Sequence, residues 1–254
     1  LETGQLYEEY RFRHKDGTYR WMRDDQRLVR DSEGNPLEVV GSWLDITERK
    51  EAEEALERSL DKIQQTLTDT VEVLANTVET RDPYTAGHQR RVAHLACALG
   101  REMGFTPDRI EGMRVMGYLH DLGKIAIPAE ILSRPGKISA VEFNIIKSHP
   151  QQGYDIVKNI EFPWPISQAI LQHHERLDGS GYPAGLSGTE IILEARILMV
   201  ADVVEAMASH RPYRPAKGIE AALEEIMRNR GVLYDAEVVD ICVNLFQQKG
   251  FNFD

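Results

Sequence analysis

Five histidines and two aspartates fall where side chains are expected to turn inward or to sit at helix ends: His88, His120, Asp121, His149, His173, His174 and Asp202. Imidazoles and carboxylates, with no cysteine among them, form a mixed nitrogen–oxygen donor set. Such a set suits two divalent ions of the iron or manganese kind better than a structural zinc. His120 and Asp121 are adjacent, and successive helical residues point about 100° apart. The imidazole can then serve one metal while the carboxylate bridges to a second. Two metals roughly 3.5–4 Å apart would hold a bridging hydroxide and stabilise the leaving oxygen of an in-line phosphodiester cleavage.

The elements that must position these residues read as helices. After Thr106, the residues Ile110, Met113, Gly117, His120 and Lys124 fall on one inward stripe, with Asp121 beside it. Ile166, Ile170 and His173 make another stripe, followed at once by His174, and His88 opens the helix that begins Gly87-His88-Gln89. His149 is expected to close a helix, because Pro150 follows it. A lone histidine on an apolar face is more often a satisfied core residue, so the argument rests on the group. Asp202 interrupts the apolar run Ile197-Leu198-Met199-Val200-Ala201. Buried there without a partner it would cost several kcal/mol or titrate to neutrality, so a metal ion or a protonated histidine is the economical partner. The bland alternative is a carboxylate that faces water between buried neighbours.

Three regions differ in texture. Residues 7–46 alternate in the manner of strands, with turn formers at Lys15-Asp16-Gly17 and Ser32-Glu33-Gly34-Asn35-Pro36, which predicts a three-stranded antiparallel meander. From about Thr47 to Thr80 there is neither Pro nor Gly. Leu56, Leu60, Ile63, Leu67, Thr70 and Leu74 repeat there near every 3.5 residues, the seam of a parallel coiled coil between two copies of the chain. A surface helix docked on its own domain is the competing reading. Residues 87–249 read as one all-α domain, with a capping hydroxyl at Thr106 before Pro107 and a capping box from Ser139 to Glu142. The expected organisation is 1–48, 49–80 and 81–254.

The charge balance, 41 acidic against 30 basic residues for a net −11, argues against a grip on duplex nucleic acid. It leaves a small anionic ligand open, because a few cations reverse the sign locally. Cys97 and Cys242 lie in apolar surroundings and read as buried thiols, which points to a reducing, cytoplasmic setting. The chain begins at Leu1 rather than Met and is expected to be a piece of a longer protein, with an upstream membrane anchor left open.

The segments Arg81-Asp82-Pro83-Tyr84-Thr85-Ala86-Gly87-His88, His120-Asp121, His149-Pro150 and His173-His174-Glu175-Arg176-Leu177-Asp178-Gly179-Ser180-Gly181-Tyr182-Pro183 resemble HD-GYP domains. So does Val200-Ala201-Asp202-Val203 followed by Arg211-Pro212-Tyr213-Arg214. The resemblance implies a core of five to seven helices around a metal cluster that cleaves cyclic di-GMP to pGpG and sometimes on to GMP. Position by position it implies that His88, His120, Asp121, His149, His173, His174 and Asp202 are the metal ligands, with Asp121 bridging. Lys124, Arg211 and Arg214 match positions that meet substrate phosphates, a role that suits an ammonium and guanidinium forks. A solvated loop is the alternative for the two arginines.

The Gly179–Pro183 loop is expected to order the site or dock protein partners, since it supplies no acid or base. Tyr84 stands where some members carry a Glu for a third metal, so two metals are expected. Residues 7–49 resemble the C-terminal part of a PAS domain and its junction with a signalling helix, through Asp45-Ile46-Thr47-Glu48-Arg49. Three functions are in contention: a regulated cyclic di-GMP phosphodiesterase, a catalytically weak cyclic di-GMP receptor, and a hydrolase of nucleotide triphosphates or alarmones. The full set of donors favours the first, and the Gly-Tyr-Pro segment argues against the last.

Overall fold

The computed structural model describes residues 4–80, 87–134, 136, 138–209 and 218–253. The chain divides into two compact units between Leu67 and Thr68.

In the first unit, β1 (Gln5–Arg13), β2 (Tyr19–Arg30) and β3 (Pro36–Asp45) form an antiparallel sheet in the order β1-β2-β3. Turn chemistry sets the register. Asp16 accepts the Thr18 N–H at 2.9 Å and Gly17 takes φ 90°, while the Asp31 carboxylate accepts the Glu33 and Asn35 N–H groups at 2.9 Å. The expected meander is present. The helix α1 (Thr47–Glu79) starts directly after β3. Its Thr47 hydroxyl accepts the Trp21 N–H at 2.9 Å, and Arg49 and Lys50 both pair with Glu9 on β1. Leu56, Leu60, Ile63 and Leu67, four residues of the seam, are each more than half exposed.

The second unit takes in the last turns of α1 and packs α2 (His88–Glu102), α3 (Pro107–Leu119), α4 (Ala129–Leu132), α5 (Ala140–Ile146), α6 (His149–Val157), α7 (Ile166–Gln172), α8 (Leu193–Ala208), α9 (Ile219–Arg228) and α10 (Ala236–Gln247). Among the described residues, six of these helices run to nine residues or more. Helix α8 is the hub: Ile197–Ala201 are all buried, and the helix touches α2, α3, α7, α9 and α10. Burying such a run supplies much of the apolar driving force of the unit, at roughly 1.5–3 kcal/mol per large aliphatic side chain.

Helices α2 and α3 approach so closely that a Cβ on Gly117 would stand 2.4 Å from the Ala93 Cα. The sequence start signals are realised. Thr106 accepts the Arg109 N–H ahead of Pro107, and Ser139 and Glu142 form the reciprocal capping box. Both cysteines are buried, and burial pushes the thiols up to about 11 for Cys97 and about 12 for Cys242. Among the described residues, no helix is long and apolar enough to cross a membrane.

Two local expectations change. His149 opens α6 instead of closing the preceding helix, which ends at Ile146. Pro150 therefore sits in the first turn of a new helix, where its missing N–H costs nothing. Lys124 lies on a separate 3-10 turn, Leu122–Ala126, because α3 ends at Leu119.

Candidate metal centre

Helix ends aim the histidines. The Nδ1–H of His120 donates to the Gly117 carbonyl at 2.7 Å, that of His149 to Ile146 at 2.8 Å, and that of His173 to Ile170 at 2.6 Å. Each acceptor lies three residues back, at or near the end of a helix, where carbonyls lack an intrahelical partner. A carbonyl only accepts, so each Nδ1 carries a proton, and in the neutral form of the ring each Nε2 presents a lone pair. All three rings are buried.

The lone pairs converge. His149 Nε2 and His173 Nε2 are 3.3 Å apart, two acceptors facing each other, and His120 Nε2 is buried with no hydrogen-bond partner. Burial pushes His120 down and His173 far down, the neighbouring His174 adding to it for His173, and burial with His149 pushes His174 down to about 3. Neutral imidazoles without a donor between them are the arrangement a cation completes.

Asp121 sits between two groups. Its Oδ1 is 3.2 Å from His149 Nε2, while its Oδ2 is 3.5 Å from His120 Nε2 and 3.8 Å from His88 Nε2. Two constellations of metal-ligand size share this carboxylate: Asp121, His149, His173 and His174, and His88, His120 and Asp121. Burial disfavours the Asp121 anion, but its neighbours, led by Lys124 whose Nζ lies 2.5 Å from Oδ2, outweigh it and hold the carboxyl far below its usual range. Asp202, on α8, lies 3.3 Å from His88 Nε2. Burial opposes its charge, and His88 more than compensates. Asp202 is partly buried and also lines a cleft, so it faces both His88 and that opening.

The backbone makes the approach possible. A Cβ on Gly123 would lie 1.9 Å from the His149 carbonyl oxygen and 2.5 Å from the Gly153 nitrogen. Only a glycine lets the turn after Asp121 rest on the start of α6. Gly181 plays the same part in the loop below His174, where a Cβ would fall 2.4 Å from the Glu175 Cα. The Tyr182 ring of that loop lies along His174, centroids 4.8 Å apart and tilted by 30°.

The structure brings together all seven donors named from the sequence, with Lys124 on Asp121. Arg211, Arg214 and Tyr84 lie outside the described residues. Sequence reasoning missed Glu205, which is buried and hydrogen-bonds His88 Nδ1 with one oxygen and Arg91 Nε at 2.6 Å with the other. Burial pulls His88 down, yet Asp202 and Glu205 raise it to about 9, and Glu205 is itself held down at about 2 against burial, chiefly by His88. The signal was its spacing: three residues after Asp202, one turn along the same helix face. Also missed was Glu175, wholly buried, whose oxygens accept the Ala184 and Leu186 N–H groups at 2.8 and 3.0 Å and so shape the loop.

A cleft of about 630 Å³ opens beside His174 and Asp202, with Phe143, Lys147, Arg176 and Tyr182 on its walls.

The comparisons agree with this geometry. The HD domain family matches residues 72–238 and the PAS fold family residues 1–43. The cyclic di-GMP phosphodiesterase response regulator RpfG of Xanthomonas campestris pv. campestris is 39% identical over 190 residues, 74% of this chain and 50% of that protein. A cyclic di-GMP phosphodiesterase of Thermotoga maritima is 37% identical over 195 residues, 76% of this chain and 53% of that one. The chain thus spans about half the length of these curated relatives. Among solved structures, Bd1817, an HDG"Y"P protein from Bdellovibrio bacteriovorus, superposes with a TM-score of 0.57 at 19% identity, over 77% of this chain and 68% of that one, a likeness of fold. With the histidine–aspartate cluster and the Gly-Tyr-Pro loop in place on an all-helical unit, the chain belongs to the HD-domain family and to its HD-GYP branch.

Proposed function

We propose that the helical unit is a metal-dependent phosphodiesterase that opens cyclic di-GMP to linear pGpG, governed by the N-terminal PAS part. The observation that carries this reading is the buried Asp121, whose two oxygens face two separate histidine groups, one of which reaches a cleft through His174. In it, His88, His120, His149, His173, His174 and Asp202 would hold two divalent ions, iron or manganese, with Asp121 shared between the two groups. Two such ions, when bound, would supply activated water and neutralise charge on the scissile phosphodiester.

The chain's own residues do the rest. The three backbone-anchored imidazoles are fixed in one tautomer, which removes the reorganisation that binding would otherwise require. Lys124 holds an ammonium at the edge of the centre, where it can meet a phosphate or leaving oxygen. Arg211 and Arg214 are proposed to clamp phosphate oxygens, on the resemblance alone. With Tyr84 in the place of a third ligand, two ions and pGpG as the main product are expected, further cleavage to GMP being the slower event.

The division into 1–48, 49–80 and 81–254 belongs to the same reading. So does dimerisation through the exposed seam of α1, and protein docking at the Gly-Tyr-Pro loop. A substrate panel separates the contending functions. The protein, loaded anaerobically with Fe(II) or Mn(II), is incubated with cyclic di-GMP, pGpG and GTP, and products are resolved by chromatography. Selective loss of the cyclic dinucleotide is expected. Binding without turnover would favour the receptor, and loss of GTP would favour the triphosphohydrolase.

A further inference from the structure

The cleft beside the histidine cluster carries two cations, Lys147 and Arg176, that form no ion pair of 4.0 Å or less among the described residues. Lys147 follows the last turn of α5, and Arg176 follows the His173-His174-Glu175 run; both line the cleft together with Tyr182 and Asp202. Elsewhere near the site basic side chains are taken up, Lys124 by Asp121 and Arg91 by Glu205. Arg176 does lie near enough to Asp178 to help hold that carboxyl below its usual range, although Ser180 does most of it.

The close partners of Lys147 and Arg176 are aromatic rings instead. The Lys147 ammonium lies 4.9 Å from the centroid of Phe143 and 5.3 Å from that of Tyr182. The Arg176 guanidinium lies 4.9 Å from the centroid of Tyr234, with its Nη1 buried and without an acceptor. Rings fix a cation in place without satisfying its N–H donors, so the Lys147 donors remain for a ligand. In a chain of net charge −11, two cations on one cleft wall give that wall a local positive charge that suits an anion.

A cyclic dinucleotide carries two phosphodiesters in one ring, and only one can occupy the metal centre at a time. We propose that Lys147, assisted by Arg176, binds the phosphodiester that is not being cut, and thereby makes the site prefer a cyclic dinucleotide over a single phosphodiester. The inference rests on the phosphodiesterase reading above. It adds a binding subsite that the chemistry at the metals does not require.

The test compares two substrates on Mn(II)-loaded protein: cyclic di-GMP, with two phosphodiesters, and bis(p-nitrophenyl) phosphate, with one. Lys147→Gln is expected to raise KM for cyclic di-GMP about tenfold with kcat nearly unchanged, as for the loss of one charge-assisted contact. Its hydrolysis of bis(p-nitrophenyl) phosphate should match that of the unaltered protein, which also shows that the variant is folded and metal-loaded. Lys147→Arg, which keeps the charge, should restore most of the affinity, and Arg176→Gln should act in the same direction as Lys147→Gln. An unchanged KM for cyclic di-GMP, or parallel losses on both substrates, would overturn the subsite while the phosphodiesterase reading stood. An unaltered protein that cuts bis(p-nitrophenyl) phosphate but leaves cyclic di-GMP intact would overturn that reading, and the subsite with it.

Discussion

His149 Nε2 and His173 Nε2 lie 3.3 Å apart, and both rings donate their Nδ1–H to backbone carbonyls. Two lone pairs at that separation repel unless a cation lies against them. Metal removal should therefore destabilise the helical unit. A ligand present at about 1,000 times its dissociation constant stabilises by about 4 kcal/mol. Stripping the protein with a chelator should lower its melting temperature by several degrees, and Mn(II) should restore it. A melting curve indifferent to chelator and to Mn(II) would contradict the assignment of these rings to a metal.

Glu205 holds His88 from behind, on the nitrogen turned away from Asp121 and Asp202. Carboxylates in that position orient the imidazole, and their loss typically costs 10–100-fold in metal affinity. Glu205→Gln should keep the helical circular dichroism and weaken metal binding by about that factor, as read by competition with a chromogenic chelator. Unaltered affinity would show that Glu205 serves Arg91 and Ser209 alone.

Gly123 has no room for a side chain, because a Cβ there would collide with the His149 carbonyl. Gly123→Ala must push the 3-10 turn off α6 and so part Asp121 from His149. Overpacking of this kind costs roughly 1–3 kcal/mol. Denaturant unfolding should record that loss, and the metal content after dialysis should fall. Full stability with full metal content would mean that the two segments move apart freely.

The apolar seam of α1 is exposed on the single chain, Leu60 at 57% and Leu67 at 62%. A pairing of these stripes between two copies would bury them. Leu60→Glu with Leu67→Glu should convert a dimer to a monomer in light scattering. A wild-type chain that is monomeric at high micromolar concentration would remove the coiled coil from the account.

What the sequence made legible were features with local causes. The hydroxyl at Thr106 ahead of Pro107, the Ser139–Glu142 box and the two glycine turns of the sheet each determine their own few residues, and each is found as expected. The seven residues proposed as metal ligands stood out because buried carboxylates and helix-end imidazoles are costly without a partner, and the structure clusters them. His149 was misplaced because a proline both ends one helix and begins another, and the residues around it do not say which. Glu205 and Glu175 went unnoticed because a glutamate in a helix or after a histidine pair has many ordinary uses. What sets them apart is burial against a ring nitrogen or a folded loop, and only tertiary packing provides that.

The central claim is that Asp121 joins two cations into one phosphodiester-cleaving centre. Product analysis on the unaltered protein and on Asp121→Ala, side by side, tests it most directly. Both are prepared anaerobically, loaded with Fe(II) or Mn(II), and incubated with cyclic di-GMP before chromatography. The unaltered protein should convert cyclic di-GMP to pGpG with about two ions per chain. Asp121→Ala should leave the substrate intact and retain less metal, because without the shared carboxylate the two cations repel. Near-native conversion by Asp121→Ala would contradict the shared-carboxylate centre at its foundation.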